Sequence, residues 1–255
     1  MAGIDDITDP LAAWLRLRAA EGRRTTGVDL YELVAAPRGL AARDLSKAER
    51  RSLALSAMPV LFPGFSLISG TQRGEDPLEV VDYDLDWPRQ YARWQELFAR
   101  ALGPAALRME HVGSSAVAGL AAKPVIDVQI SVADVTDETS YVPQLEGAGL
   151  QLRATDDVHR LLLPPAGRPR NVHVHICTVG GTWEREHLLF RDYVRAHPVA
   201  RDDYARAKRD AVRTWADDRW AYTEAKTGVI LGILDAAEQW ATAAHWSLPP
   251  LTAGD

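Results

Sequence analysis

A single cysteine, Cys177, stands in 255 residues. That scarcity excludes an internal disulfide and fits a reducing compartment. Set in an apolar stretch, its thiol reads as buried and inert rather than nucleophilic. Basic residues are not in excess either: 29 Lys and Arg face 35 Asp and Glu, for a formal net charge of -6. Such a balance argues against a dedicated nucleic-acid binder. The cluster Arg206, Lys208 and Arg209 alternates with acids and reads as a solvated helix face. No run approaches the ~20 apolar residues that a membrane span needs. The opening Met1–Asp6 has neither the basic nor the apolar region of a secretory signal. These absences predict a cytoplasmic protein that serves neither membrane nor nucleic acid.

What is present is ordinary globular material, 47% hydrophobic and 25% charged, enough for one large domain or a domain with an appendage. Asp9-Pro10 is a cap followed by a first-turn proline, and Leu11, Trp14, Leu15 and Ala19 form a helical stripe that ends at Glu21-Gly22. Arg16 and Arg18 fall near the end of this helix, where cations suit the dipole. Leu40 to Met58 reads as a second helical segment with Ser46 as a cap inside it, and 59–77 as a connector. Residues 1–78 thus form a helical extension whose job is packing, a homodimer contact or a substrate lid. The Arg23-Arg24 pair is either a surface pair or a contact for an anion. A second unit spans 79–242, and 243–255 is a tail.

The chain is organised around residues 109–130. A strand enters at Met109 and leads through His111 into Gly113-Ser114-Ser115. A short helix of small residues follows, Pro124 ends it, and a second strand begins at Val125. Gly113 permits a tight turn and a close approach of backbone to a ligand. Ser114 or Ser115 caps the helix, whose free N–H groups and dipole suit a phosphate. Ile126, Val128 and Ile130 share one face of the strand, and Asp127 and Gln129 the other. A mid-strand acid must be paired, hydrated or metal-bound.

Further on, two short strands flank Asp156-Asp157, and Asn171 to Ile176 alternates so that His173 and His175 share a face. Two imidazoles at i and i+2 can hold a metal together, or one binds substrate while the other is a core residue. Lys123 either snorkels to solvent or neutralises a phosphate. Arg160 and Arg170, at strand starts, are placed to face the same cleft as His173. The remainder is helical over 183–197, 199–215 and 222–241, with Tyr222 and Lys226 four apart on one side of the last helix.

His111-Val-Gly-Ser-Ser and Gly119-Leu-Ala-Ala-Lys-Pro-Val-Ile-Asp127 resemble the GrpB family of nucleotidyltransferase-like proteins. So do Tyr83-Asp-Leu-Asp-Trp-Pro88, His187-Leu-Leu-Phe-Arg-Asp-Tyr193, Arg195-Ala-His-Pro198 and Ala221-Tyr-Thr-Glu-Ala-Lys-Thr227. The likeness runs from about Val80 to Ala241. It departs at Ala118, where the family usually has proline, and at Gln129, where nucleotidyltransferases place a second carboxylate.

The resemblance implies an α+β fold: a mixed sheet packed with helices, here with an N-terminal helical extension. It also implies transfer of a nucleotidyl or related phosphoryl group from a nucleoside triphosphate to a small-molecule acceptor. In that scheme Asp127 binds Mg2+ or another divalent metal, and His173 or His175 completes the shell or acts as general base. Gly113, Ser114, Ser115, Lys123, Arg160 and Lys226 would meet the nucleotide. The family also occurs fused to dephospho-coenzyme A kinase. Two other classes therefore stand beside the transferase: a non-catalytic module binding a nucleotide or coenzyme A-type ligand, and a His/Asp metal enzyme unrelated to nucleotides.

Overall fold

Alternation of apolar and polar residues over 126–132 and 172–178 builds the two central strands of the fold. The computed structural model describes residues 9–21, 25–62, 64–71 and 78–251. The Met1–Asp6 opening, Gly22, the Arg23-Arg24 pair and the last four residues of the tail lie outside these. Six strands form one sheet: β1 (Ser66–Leu67), β2 (Arg108–Val112), β3 (Ile126–Val132), β4 (Gln151–Thr155), β5 (His159–Leu163) and β6 (Val172–Thr178). Their order is β1-β4-β5-β6-β3-β2. The central pair β3–β6 is parallel and the other pairs are antiparallel. This is the mixed sheet of an α+β protein.

One face of the sheet is a dry core. Ile126, Val128 and Ile130 of β3, with Val172, Val174 and Ile176 of β6, pack on α4 (Trp87–Leu102) and α5 (Val142–Gly147) through Phe98, Leu102 and Leu145. The other face carries Asp127, Gln129, His173, His175 and Cys177, because a strand's side chains alternate. Helix α6 (Thr182–Ala196) crosses that face. Its fully buried Glu184 takes the guanidinium of Arg108 at 2.6 Å and the Ser131 hydroxyl. Burial pushes the Cys177 thiol up to about 12, so it stays protonated.

The extension is built from α1 (Pro10–Glu21), α2 (Gly27–Ala35) and α3 (Lys47–Leu61). Asp9 caps α1, accepting from the amides of Leu11 and Ala12. Ser46 caps α3 in a reciprocal box with Glu49. The segment expected from Leu40 is therefore a 3-10 turn at Ala42–Asp44 and then α3, which runs through Pro59. The extension packs within its own chain on α7 (Pro198–Trp215) and α8 (Arg219–Glu224). Tyr31, Ala35 and Leu45 meet Trp215, Ala221 and Tyr222. Arg50 pairs with Asp217 at 2.6 Å and with Asp218 at 3.0 Å, and the Gly27 amide donates to Glu224.

Val81 makes a single bridge, to Ala122, and two local expectations are corrected. The small-residue helix after the Gly-Ser turn is only a 3-10 turn, Ser114–Ala116. β-branched Val117 and Gly119 at φ 78° leave too short a run to nucleate more. The last helix divides into α8 and α9 (Thr227–Ala244), and Lys226 lies at the joint. No helix among the described residues is long and apolar enough to cross a membrane.

Candidate metal and anion site

Parallel pairing of β3 with β6 sets Asp127 opposite His173 and Gln129 opposite His175. Asp127 Oδ1 lies 2.9 Å from His173 Nδ1 and 3.6 Å from His175 Nε2. The three sequence candidates for metal binding therefore meet, with donor atoms within 4.8 Å of one another. Burial works against ionising Asp127. The hydrogen bond from His173 and the neighbouring His175 outweigh it and hold the carboxyl well below its usual range.

The two histidines are not equivalent. Arg170 Nε donates to His173 Nε2 at 2.9 Å. A guanidinium only donates, so Nε2 is the acceptor and a neutral His173 carries its proton on Nδ1, pointed at Asp127. Burial pushes His173 down to about 4, which keeps it neutral. His173 thus orients the carboxylate and offers no lone pair to a metal.

His175 is held the other way round. Its Nδ1 lies 2.9 Å from His159 Nε2, and His159 Nδ1 lies 3.7 Å from the Asp156 carboxylate. With the His159 proton on the nitrogen near Asp156, the far nitrogen accepts from His175 Nδ1–H and the His175 Nε2 lone pair faces Asp127 across 3.6 Å. With the proton on His175 Nε2, that nitrogen is a donor toward the Asp127 carboxylate. A carboxylate oxygen and an imidazole lone pair aimed at one point fit a divalent cation. Trp183 stacks between His159 and His187, with centroids at 4.7 and 3.6 Å, and fixes the His159 ring.

Gln129 completes this patch. It is fully buried, and neither its amide oxygen nor its nitrogen has a hydrogen-bond partner among the described residues. An orphaned amide next to the donor pair is a ready partner for a metal-bound water.

Gly113 has φ 68° and ψ -167°, a region open essentially to glycine alone. A β-carbon there would collide with the Asp127 carboxylate. Gly113→Ala is expected to cost about 2 kcal/mol of stability from strain. It should also displace Asp127, so calorimetric metal titration of the variant should give no binding. Unchanged unfolding and metal binding would refute this account of the turn.

Of the turn amides, those of Ala116 and Val117 bond back to Gly113 and Ser114. Ser115 points inward, bonded to His111 at 3.1 Å and to the Val125 carbonyl at 2.9 Å. Positive charge is supplied by lysines. Lys226 Nζ sits 3.9 Å and Lys123 Nζ 5.5 Å from the Tyr222 ring centroid, and Lys208 Nζ 4.4 Å from that of Tyr204. Burial pushes the Tyr204 hydroxyl up to about 12, with Ser114 beside it acting the other way. Burial, then mutual repulsion, pushes Lys208 down to about 6 and Lys226 to about 7. Burial, moderated by Asp127, pushes Lys123 down to about 8. Of these three lysines, Lys123 alone lines a cleft of about 170 Å3, together with Arg170 and Arg219.

Arg160 is a correction. It pairs in register with Ile176 and therefore lies on the opposite face of the sheet, where it bonds Glu138 at 2.5 Å. Sequence reasoning missed His159, Tyr204 and Lys208. A signal for the last two existed: Tyr204, Lys208, Ala211 and Trp215 recur at helical spacing, so Lys208 sits on the buried stripe of α7.

The family profile described as GrpB protein matches residues 77–236. A UPF0157 protein of Streptomyces coelicolor is 40% identical over 166 residues, 64% of this chain and 87% of that protein. A protein of Mycobacterium tuberculosis named dephospho-CoA kinase is 34% identical over 200 residues, covering 67% of this chain but 48% of that protein. The crystal structure of the conserved protein GrpB from Enterococcus faecalis is similar at 27% identity and TM-score 0.57, over 64% of this chain and 99% of that one.

Proposed function

Since this chain belongs to the GrpB family, we propose that it transfers a nucleotidyl or related phosphoryl group to a small-molecule acceptor with the help of a divalent metal ion. The observation that carries the reading is the pairing of two opposite features on one carboxylate. Asp127 Oδ1 and His175 Nε2 face each other across 3.6 Å, and Lys123, Lys208 and Lys226 all feel the charge of the same Asp127.

A divalent ion held by Asp127 and His175 would neutralise charge on the phosphoryl oxygens. The protein's own residues supply the rest. His173 keeps the carboxylate aimed, and Arg170 keeps His173 aimed. Lys123 and Lys226 form the wall against which a donor's phosphates rest. His175 Nε2 is the imidazole nitrogen left to meet the metal or to take a proton from an acceptor hydroxyl. With an imidazole in the donor set, Mn2+ or Zn2+ is expected to bind more tightly than Mg2+, which prefers an all-oxygen shell.

A second reading is favoured by Gln129. A neutral amide where a second carboxylate would sit weakens two-metal chemistry, and the site then serves as a binding module for a nucleotide or coenzyme A-type ligand. The likeness to a protein named dephospho-CoA kinase suits such a ligand.

Thermal unfolding of the metal-stripped chain against nucleoside triphosphates, coenzyme A and divalent ions tests both. A ligand that binds only the folded state at a hundredfold excess over its dissociation constant adds about 2.7 kcal/mol. The transfer reading expects a metal-dependent shift with one triphosphate, lost in Asp127→Asn. A nucleotide or coenzyme A shift that ignores metal and survives Asp127→Asn would leave the binding module. A shift with Zn2+ but with no nucleotide would sink both in favour of a His/Asp metal enzyme.

A further inference from the structure

Helix α8 has six residues, too few to hold its own shape in water, yet it borders the candidate site. Its Tyr222 ring carries Lys226 Nζ at 3.9 Å and Lys123 Nζ at 5.5 Å. Its first residue, Arg219, lines the cleft beside Lys123 and Arg170. What fixes this helix comes from the other end of the chain. Asp218 caps it, accepting from the Ala221 amide at 2.9 Å. The second carboxylate oxygen of Asp218 takes the Tyr31 hydroxyl at 3.1 Å and lies 3.0 Å from Arg50 Nε. At the far end Glu224, 6% exposed, accepts from the Gly27 amide at 2.9 Å. Between these ends α2 and α8 approach so closely that a β-carbon on Gly27 would overlap the Trp220 ring. The Tyr31 ring packs on the same Trp220, with centroids 5.3 Å apart.

We propose that the N-terminal extension is a positioning element of the candidate site: Gly27, Tyr31 and Arg50 grip α8 at both ends and so set the place of Tyr222 and Lys226. The proposal deepens the transfer reading and rests on it only for the ligand that Lys226 meets. The gripping residues lie before residue 77, where the family profile begins, whereas Asp218, Tyr222, Glu224 and Lys226 lie inside it. The grip is thus an addition to the family core, and it reaches the site through one short helix. Arg50 is its strongest member. Its side chain is 5% exposed and that of Asp218 11%, and removing one partner of a buried ion pair leaves the other uncompensated. A two-turn helix that loses its hold opens locally, without the sheet.

Lysine-selective 13C NMR of the full chain reads the grip at the site, because the chain's lysines are Lys47, Lys123, Lys208 and Lys226 alone. In the wild type Lys226 should titrate at about 7. It is held down by burial first, then by Lys123 and Lys208, with Asp127 and Glu224 acting the other way. Arg50→Met should raise it by about two pH units or more, toward the ~10.4 of a solvated lysine. Amide hydrogen exchange over 219–226 should quicken by about tenfold or more while β3 and β6 exchange as before. Arg50→Lys, which restores the charge beside Asp218, should bring both back. Should Arg50→Met not fold, Tyr31→Phe removes the other contact to that oxygen and is read in the same way. Protection lost evenly across the fold with Lys226 unmoved, or a wild-type Lys226 that already titrates like a free lysine, would overturn the grip. Mn2+ affinity should be the same in all these proteins, since no gripping residue touches Asp127 or His175. Absence of Mn2+ binding from every one of them, wild type included, would sink the transfer reading and leave the grip standing.

Discussion

The ligand-free protein should become more stable between pH 7 and pH 9, a range in which few proteins gain. Lys208 titrates at about 6 and Lys226 at about 7 in the folded chain, and burial is the main cause for both. In the unfolded chain both titrate near ~10.4. Over this window the unfolded state therefore holds protons that the folded state has lost, and stability rises with pH. The gain begins near pH 6 and ends near the unfolded value. Each lysine adds at most about 1.4 kcal/mol per pH unit, so the pair adds about 5 kcal/mol at the ceiling. Cys177 opposes them, because its thiol stays protonated in the fold but ionises when exposed. By the same linkage it removes less than about 1 kcal/mol by pH 9. A net gain of about 3 kcal/mol or more should appear in denaturant unfolding at the two pH values. Lys208→Met should remove roughly half of it. A flat or falling profile would mean that these lysines are solvated after all.

That prediction was hidden in the sequence, for an identifiable reason. Helix α7 is dense in charge, and Lys208 is flanked by Arg206 and Arg209, which do reach the surface to meet Asp203 and Asp82. Local composition says solvated face; only the spacing to Tyr204 and Trp215 places Lys208 inward. The sheet was more legible. Period-two alternation put Asp127 on one strand face and His173 with His175 on another, with no knowledge of the fold. That the two faces are one depends on β3 and β6 lying side by side in parallel, a non-local fact carried by the family likeness and not by either strand. The division of labour between the histidines was not legible at all. It depends on Arg170 and His159, whose reach to the rings only the folded chain defines. The supposed helix N-terminus failed for a different reason: a Gly-Ser signature marks a turn, and Val117 and Gly119 prevent that turn from propagating.

Gln129→Glu should separate metal binding from stability more sharply than any deletion. The residue is fully buried on the same strand face as Asp127, with Glu110 opposite on β2 and His175 opposite on β6. A carboxylate there meets Asp127 on its own strand and Glu110, whose charge Arg191 already holds at 2.6 Å. The metal-free variant should lose several kcal/mol at pH 7. The new group's folded pKa must lie above its unfolded value, so the deficit is small in acid and grows as pH rises past ~4.3. Mn2+ should reverse the order, because the variant presents two carboxylates and the His175 lone pair to one ion. Its affinity should exceed that of the wild type by tenfold or more, and the unfolding midpoint should recover on addition of metal. Gln129→Met supplies the contrast. It removes two orphaned polar atoms at similar volume, so the metal-free protein should hold or gain stability while metal affinity does not rise. The same Mn2+ response in all three proteins would show that the metal sits elsewhere, and the pairing of Asp127 with His175 would lose its assigned role. A Glu variant rescued by Mn2+ would instead mean that this chain retains the geometry of a two-carboxylate site and differs from it by one amide.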